Sequence, residues 1–183
     1  MLRATLFFAA SAAILPLSWR SLKDARTHGF YRFFAFELLL GLILWNAPLW
    51  WHDPLSWRQL AAWFLGAASI GLAIEGFRLL QVIGRPAPAK IESANLTFEN
   101  TTTLVMVGAY RWIRHPLYAS LLALAWCAYL KNPLELVSIV LTLGASGFLL
   151  ATALVEEGEN LKRFGASYTE YKKRTRRFIP FVF

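Results

Sequence analysis

Five apolar runs, each closed off by charged or turn-forming residues, dictate most of what this 183-residue chain can fold into. They are Leu2 to Trp19, Phe33 to Trp51, Leu60 to Ile83, Pro116 to Leu130 and Leu134 to Val155. A bilayer core of about 30 Å takes roughly 20 mostly apolar residues per helix, so the runs read as membrane spans. The fourth would reach only about 22 Å at 1.5 Å per residue. With Asn132-Pro133 behind it, it reads as one arm of a tight helical hairpin with the fifth. The predicted fold is an all-α integral membrane helix bundle of about five transmembrane helices. Composition agrees, because 57% hydrophobic and 16% charged residues leave too little polar surface to cover a water-soluble globule. The same figures exclude a disordered, collagenous or disulfide-built chain, and Cys127 is the single cysteine.

The charges that remain are distributed unevenly. Arg20, Lys23, Arg26 and Arg32 follow the first run; Arg78, Arg85, Lys90, Arg111 and Arg114 end or follow the third; seven more, from Lys162 to Arg177, lie in the tail. Only Arg3, Arg58 and Lys131 fall on the opposite side. Short cytoplasmic loops retain Lys and Arg, so the split predicts the N-terminus outside and the C-terminus in the cytoplasm, in a prokaryote across the plasma membrane. The net charge of +8 is then a topology signal and an attraction to anionic lipid, and nucleic acid is not an expected partner. Arg3 and the small stretch Ala9 to Ala13 imitate a signal peptide, but the stronger positive cluster behind the run favours a retained span. Trp45, Trp50, Trp51 and Trp57 surround the second outer turn, where amphipathic rings settle.

One membrane domain is expected, with a three-helix part over 1–83 and a second part over 84–183 that carries the chemistry. Two polar stretches, Gly84 to His115 and Glu156 to Phe183, flank the hairpin on the inside. Gly84-Arg85-Pro86-Ala87-Pro88 breaks the third run, and the β-branched Leu96 to Val107 is extended in character. Such a segment cannot lie unpaired in lipid, so it is expected to cover a cavity at the cytoplasmic surface. Pro116 suits the first position of a helix, which puts His115 and Arg114 at a mouth that attracts anions. Arg114 could equally anchor to lipid phosphate while His115 merely caps. Glu156-Glu157 ends the fifth run, where carboxylates oppose the helix dipole unless a ligand uses them. Phe164, Tyr168 and Tyr171 share one helical face, which reads as packing onto the bundle.

Gly108-Ala109-Tyr110, then Arg114-His115-Pro116-Leu117-Tyr118, Glu156-Glu157, Phe164-Gly165, Tyr168, Tyr171 and Arg177-Phe178-Ile179-Pro180 together resemble the isoprenylcysteine carboxyl methyltransferase and phospholipid methyltransferase superfamily. The resemblance covers about Thr101 to Pro180. It implies a multi-pass membrane enzyme, a methyltransferase that uses S-adenosylmethionine and releases S-adenosylhomocysteine. Its cytoplasmic cofactor pocket would be formed by a loop and the C-terminal helix. Carried over by position, cofactor contacts would fall on Thr102, Thr103, Leu104, Val105, Tyr110, Arg114, His115, Pro116, Leu117, Tyr118 and Glu156. Enzymes of that family that methylate a prenylcysteine carboxylate resemble one another in an Arg one turn before the Glu pair, where this chain has Leu150-Ala151-Thr152-Ala153. Thr102 stands where they tend to carry His, and Ser120 where Gly is frequent.

Methyl transfer from a sulfonium is an in-line displacement that chiefly needs two atoms held about 3–3.5 Å apart without water. If the nucleophile arrives protonated, Glu157 or Tyr118 is the expected proton acceptor. The acceptor, a lipid or small lipophilic molecule, is expected to come sideways from the bilayer past Glu75 and Arg78, themselves spaced to form an intrahelical ion pair. The missing Arg favours an aminophospholipid, amine or thiol over a prenylcysteine carboxylate. Two other readings keep the helices: an NADPH-dependent reductase akin to sterol reductases, or a non-enzymatic helix bundle. No metal-ligating cluster is visible, and Glu37 is expected to serve a neighbouring helix.

Overall fold

The computed structural model describes residues 1–87, 96 and 99–182. Pro88, Lys90, Thr97, Phe98 and Phe183, on which parts of the sequence reading fell, lie outside the described residues. Among the described residues six α-helices follow in order: α1 (Leu2–Ser18), α2 (His28–Asn46), α3 (Trp57–Val82), α4 (Pro116–Leu130), α5 (Leu136–Phe164) and α6 (Ala166–Arg174). Among the described residues the only β-structure is two isolated bridges, so the protein is all-α. Three segments are long and apolar enough to cross a bilayer: α2 with its following 3-10 turn to Leu49, α3, and α5. α1 and α4 are shorter apolar helices.

Local chemistry sets the helix boundaries. Ser56 opens α3 by accepting a bond from the Gln59 amide, and Glu135 opens α5 by accepting from Ser138. α4 begins at Pro116, as its missing N–H predicts, and α5 ends at Gly165, whose φ is +56°. Two boundaries differ from the hydropathy runs. α2 starts five residues before Phe33, because His28 and Arg32 find carboxylate partners instead of water. α5 runs nine residues past Val155, so Glu156 and Glu157 sit inside the helix and not at the terminus where its dipole would oppose them.

The bundle is assembled through small residues. Ala62, Ala125, Ala128, Ala145 and Ala153 are fully buried, whereas Phe64, Ile70, Ile74, Val140 and Leu143 are exposed. Small side chains inside with large apolar ones outside is the arrangement a lipid solvent favours, since packing and not water expulsion holds helices there. The chain is an integral membrane protein by this pattern and by its three long apolar segments.

α2 packs chiefly on α5 and α3 chiefly on α4, while α1 leans on α2. α4 therefore gives more of its surface to α3 than to its hairpin partner α5. Gly76 allows this approach: a Cβ there would lie 3.1 Å from the Leu117 side chain. The pairings interlock the 1–83 and 84–183 parts.

At the tryptophan-rich end, buried polar groups fasten the helices. Asn46 donates to the Ala128 carbonyl and accepts from Ser138, each at 3.0 Å. Gln59 binds the Leu49 and His52 carbonyls and accepts from the Lys131 ammonium at 2.7 Å. That ammonium lies 3.5 Å from the centre of the Trp63 ring, and Arg58 donates to the Leu130 and Lys131 carbonyls that end α4. Glu37 meets α1 by accepting from the Ser11 hydroxyl, as expected of a carboxylate serving a neighbouring helix.

Candidate active site

At the other end the helices part around a cavity of about 520 Å³. α2 supplies Arg32 and Phe36, α3 supplies Ala73, Ile74, Phe77 and Leu80, and α4 supplies Leu117, Tyr118 and Leu121. Glu156, Asn160 and Phe164 come from α5, and Tyr168 and Tyr171 from α6. The covering segment adds Glu99, Thr101, Leu104, Val105 and Tyr110.

That segment is held in extended form by Gly84 to Ala87, as its β-branched composition implies. Thr102 N donates to the Gly84 carbonyl at 2.9 Å, Ala87 N to the Asn100 carbonyl at 3.0 Å, and Pro86 bridges Thr101. Gly108 then turns with φ +58°, and a Cβ there would lie 2.4 Å from Glu75 Oε1. The same Glu75 oxygen accepts from the Ala109 amide at 3.0 Å.

The tail completes the wall. Arg176 N donates to the Trp112 carbonyl, Arg114 N to the Arg176 carbonyl and His115 N to the Arg177 carbonyl, at 2.7–3.1 Å. Tyr171 donates its hydroxyl to the Tyr110 carbonyl at 2.7 Å. Thus the Arg114-His115-Pro116 turn is clamped between α6 and the residues that follow it.

Two carboxylates adjacent in sequence receive opposite duties. Glu156 faces the cavity, where Tyr118 donates to its Oε2 and His115 Nδ1 lies 3.9 Å away. The His115 ring lies nearly parallel to that of Tyr118, 5.5 Å between centres. Glu157 points to the tail, bound by Arg114 at 2.9 Å, Lys172 at 2.9 Å and Arg177 at 3.1 Å. It is absent from the cavity lining.

A second charged group closes the far side. Arg32 pairs with Glu99, and His28 lies between Glu99 at 3.2 Å and Glu159 at 2.7 Å. One buried polar atom of the lining, the Tyr168 hydroxyl, has no hydrogen-bond partner among the described residues, whereas His115 Nε2 turns towards Glu157 Oε1 at 3.6 Å. Burial, followed by the Glu157 and Glu156 charges, pushes the Tyr168 phenol well above its ordinary range, so it stays protonated and able to donate. Burial and Glu156 do the same to Tyr110.

Of the residues singled out in the sequence, Leu104, Val105, Tyr110, Arg114, His115, Leu117, Tyr118 and Glu156 line the cavity. Pro116 is buried behind them against Gly76. Thr102 and Thr103 stand outside the lining; the Thr102 hydroxyl donates to the Arg85 carbonyl at 2.9 Å and serves the loop. Glu75 and Arg78 also stand outside it, and among the described residues they form no ion pair. Arg32, Glu99 and Asn160 were missed, and Tyr168, read as a packing residue, presents its hydroxyl here. For Arg32 the available signal was an Arg at a helical spacing below Phe36.

Comparison with known proteins finds similarity over part of the chain. The chain is 37% identical over 89 residues to a yeast (Saccharomyces cerevisiae) protein-S-isoprenylcysteine O-methyltransferase, matching 46% of this chain and 35% of that protein. Over that stretch this chain is similar to the protein-S-isoprenylcysteine O-methyltransferases. The human and Xenopus laevis isoprenylcysteine O-methyltransferases match at 36% and 37% identity, over 45% and 44% of this chain and 29% and 28% of theirs. The chain thus spans about a third of the length of the curated relatives it matches. No family model matches it, and no solved structure does.

Proposed function

We propose that the protein transfers a methyl group from S-adenosylmethionine to a lipid or small lipophilic acceptor, in a pocket at the cytoplasmic face. The observation that carries the reading is the unpartnered, buried Tyr168 hydroxyl at a cavity that also holds the Glu156 carboxylate and the His115 ring. A buried polar atom is rarely left unmet, so this hydroxyl, with the Glu156 carboxylate beside it, fits a ligand rich in hydrogen-bonding groups. The donor set suits an amino-acid cofactor: Tyr168 and His115 for its carboxylate, Glu156 for its ammonium or ribose hydroxyls, and the Leu104-Val105 main chain for the adenine edge. When bound, S-adenosylmethionine supplies an electrophilic methyl group.

The chain's own residues then position, shield and accept a proton. Phe36, Ala73, Ile74 and Phe77 form an apolar approach between α2 and α3 that suits a lipophilic acceptor and keeps water out. Of the two proton acceptors read from the sequence, Tyr118 lines the cavity and donates its hydroxyl to Glu156. We assign proton acceptance to that pair. Glu157, committed to three cations, is assigned the positioning of Arg114 and the tail.

The acceptor is the finer part of the proposal. Where a substrate-binding Arg would precede Glu156, Thr152 is buried and bonds its hydroxyl back to the Phe148 carbonyl. Arg32 does reach the cavity, but it is already paired with Glu99. A carboxylate acceptor would therefore have to displace Glu99, whereas a neutral amine or thiol would not.

Incubating the purified protein with radiolabelled S-adenosylmethionine and a membrane lipid extract tests the reading. Label is expected in the lipid fraction, and is expected to disappear with Glu156→Gln. Tight binding of NADPH without any S-adenosylhomocysteine binding would replace the reading with a reductase.

A further inference from the structure

Besides the candidate active site, a second cavity of about 950 Å³ opens on the surface between α6 and the Met106 to Trp112 segment. Its lining carries Arg111, Lys173, Arg174 and Arg176 against a single carboxylate, Glu170. Lys173 and Arg174 share that carboxylate, at 3.2 and 2.9 Å. Arg111 and Arg176 make no ion pair among the described residues. The Arg111 guanidinium lies 5.2 Å from the centre of the Trp112 ring, and the Arg176 main chain donates to Trp112. The pocket is therefore a concentration of positive charge with two cations left over, both borne on backbone tied to Trp112.

The rim is apolar. Met106, Trp112 and Phe181 line it while remaining 51%, 46% and 77% exposed, and the Trp112 and Phe181 rings lie 5.3 Å apart. Ile179 and Val182, next along the chain, are also exposed. A small inorganic anion would use the cations and leave this rim wet. An amphiphile with an anionic head and an acyl chain satisfies both, which is how basic and aromatic residues combine at a membrane interface.

We propose that this pocket binds one anionic phospholipid, its phosphate held by Arg111 and Arg176 and its glycerol and first acyl carbons lying on Trp112 and Phe181. The site is separate from the proposed cofactor cavity, with Tyr171 forming part of the wall of both. Because Trp112 and Arg176 also clamp the turn that carries His115, the lipid would tighten the same clamp.

Native mass spectrometry of the full chain released from detergent tests this, with phosphatidylglycerol and phosphatidylcholine of identical acyl chains as probes. Each interfacial cation adds about fivefold to the attraction, so with two of them retention of one phosphatidylglycerol is expected at a concentration about 25-fold lower than phosphatidylcholine. Arg111→Gln with Arg176→Gln should bring the two lipids to parity, and Arg111→Lys with Arg176→Lys should keep the preference. Equal retention of both lipids by the unaltered protein would overturn the proposal, as would an unchanged preference in the glutamine variant. Displacement of phosphatidylglycerol by millimolar inorganic phosphate would reduce the pocket to a simple anion site and overturn it too.

Discussion

Tyr118 donates its hydroxyl to Glu156, tying the first turn of α4 to a point on α5 eight residues short of that helix's end. The contact joins the two residues that the cavity and the sequence motif both single out, so they should behave as one unit. Glu156→Gln is expected to weaken S-adenosylhomocysteine binding by about 10–100-fold, the loss of a charge-assisted bond. Tyr118→Phe should cost less, and the double variant little more than Glu156→Gln alone. Calorimetry on the four forms measures the coupling, and strict additivity would separate the two residues.

Glu157→Gln should act on stability. It leaves Arg114, itself 8% exposed, without its carboxylate, at a cost of about 3 kcal/mol. Thermal unfolding should shift down markedly, while cofactor affinity of the still-folded protein falls less than with Glu156→Gln. The reverse ranking would return Glu157 to the chemistry.

Gly108→Ala is expected to destabilise the covering segment by about 2 kcal/mol, from a left-handed backbone and a lost hydrogen bond. The added methyl would meet the Glu75 carboxylate that holds Ala109. A melting curve compared with that of Gly158→Ala, where a Cβ meets nothing within 4 Å, isolates the effect.

The helix bounds of α1 and α4 were legible because apolar runs and Pro116 end them sharply. α2 and α5 were not, since hydropathy stops at the first charge while the helix continues wherever that charge finds a partner. His28 and Arg32 find Glu159 and Glu99, the latter 67 residues from Arg32, and no local pattern announces such a pair. His115, Tyr118 and Glu156 were readable because their motif spacing carries them. Glu75 was read as an ion-pair partner by spacing alone, yet a main-chain amide arriving from residue 109 takes its oxygen.

The uneven charges predict that reporters fused before Met1 and after residue 182 respond from opposite sides of the membrane, the latter from the cytoplasm. Both responding from one side would remove the five-span arrangement.

Offered side by side, an aminophospholipid or a lipophilic amine or thiol should be methylated faster than a farnesylcysteine analogue. Arg32→Gln should leave that order unchanged. Efficient esterification of the farnesylcysteine, lost in Arg32→Gln, would show that Arg32 exchanges Glu99 for the substrate carboxylate.

Gln59 of α3 grips the carbonyls of Leu49 and His52, just beyond α2, and holds Lys131 beneath the Trp63 ring. At the other end, Phe36 of α2 and Phe77 of α3 line the cavity, and there the covering segment reaches both helices, Glu99 to His28 and Arg32 and the Ala109 amide to Glu75. The molecule is thus built like a clothes peg, riveted at one end and latched at the other by the covering segment. Parting α2 from α3 to admit a bulky acyl chain would therefore cost bonds that Glu99 and Ala109 make with the two helices.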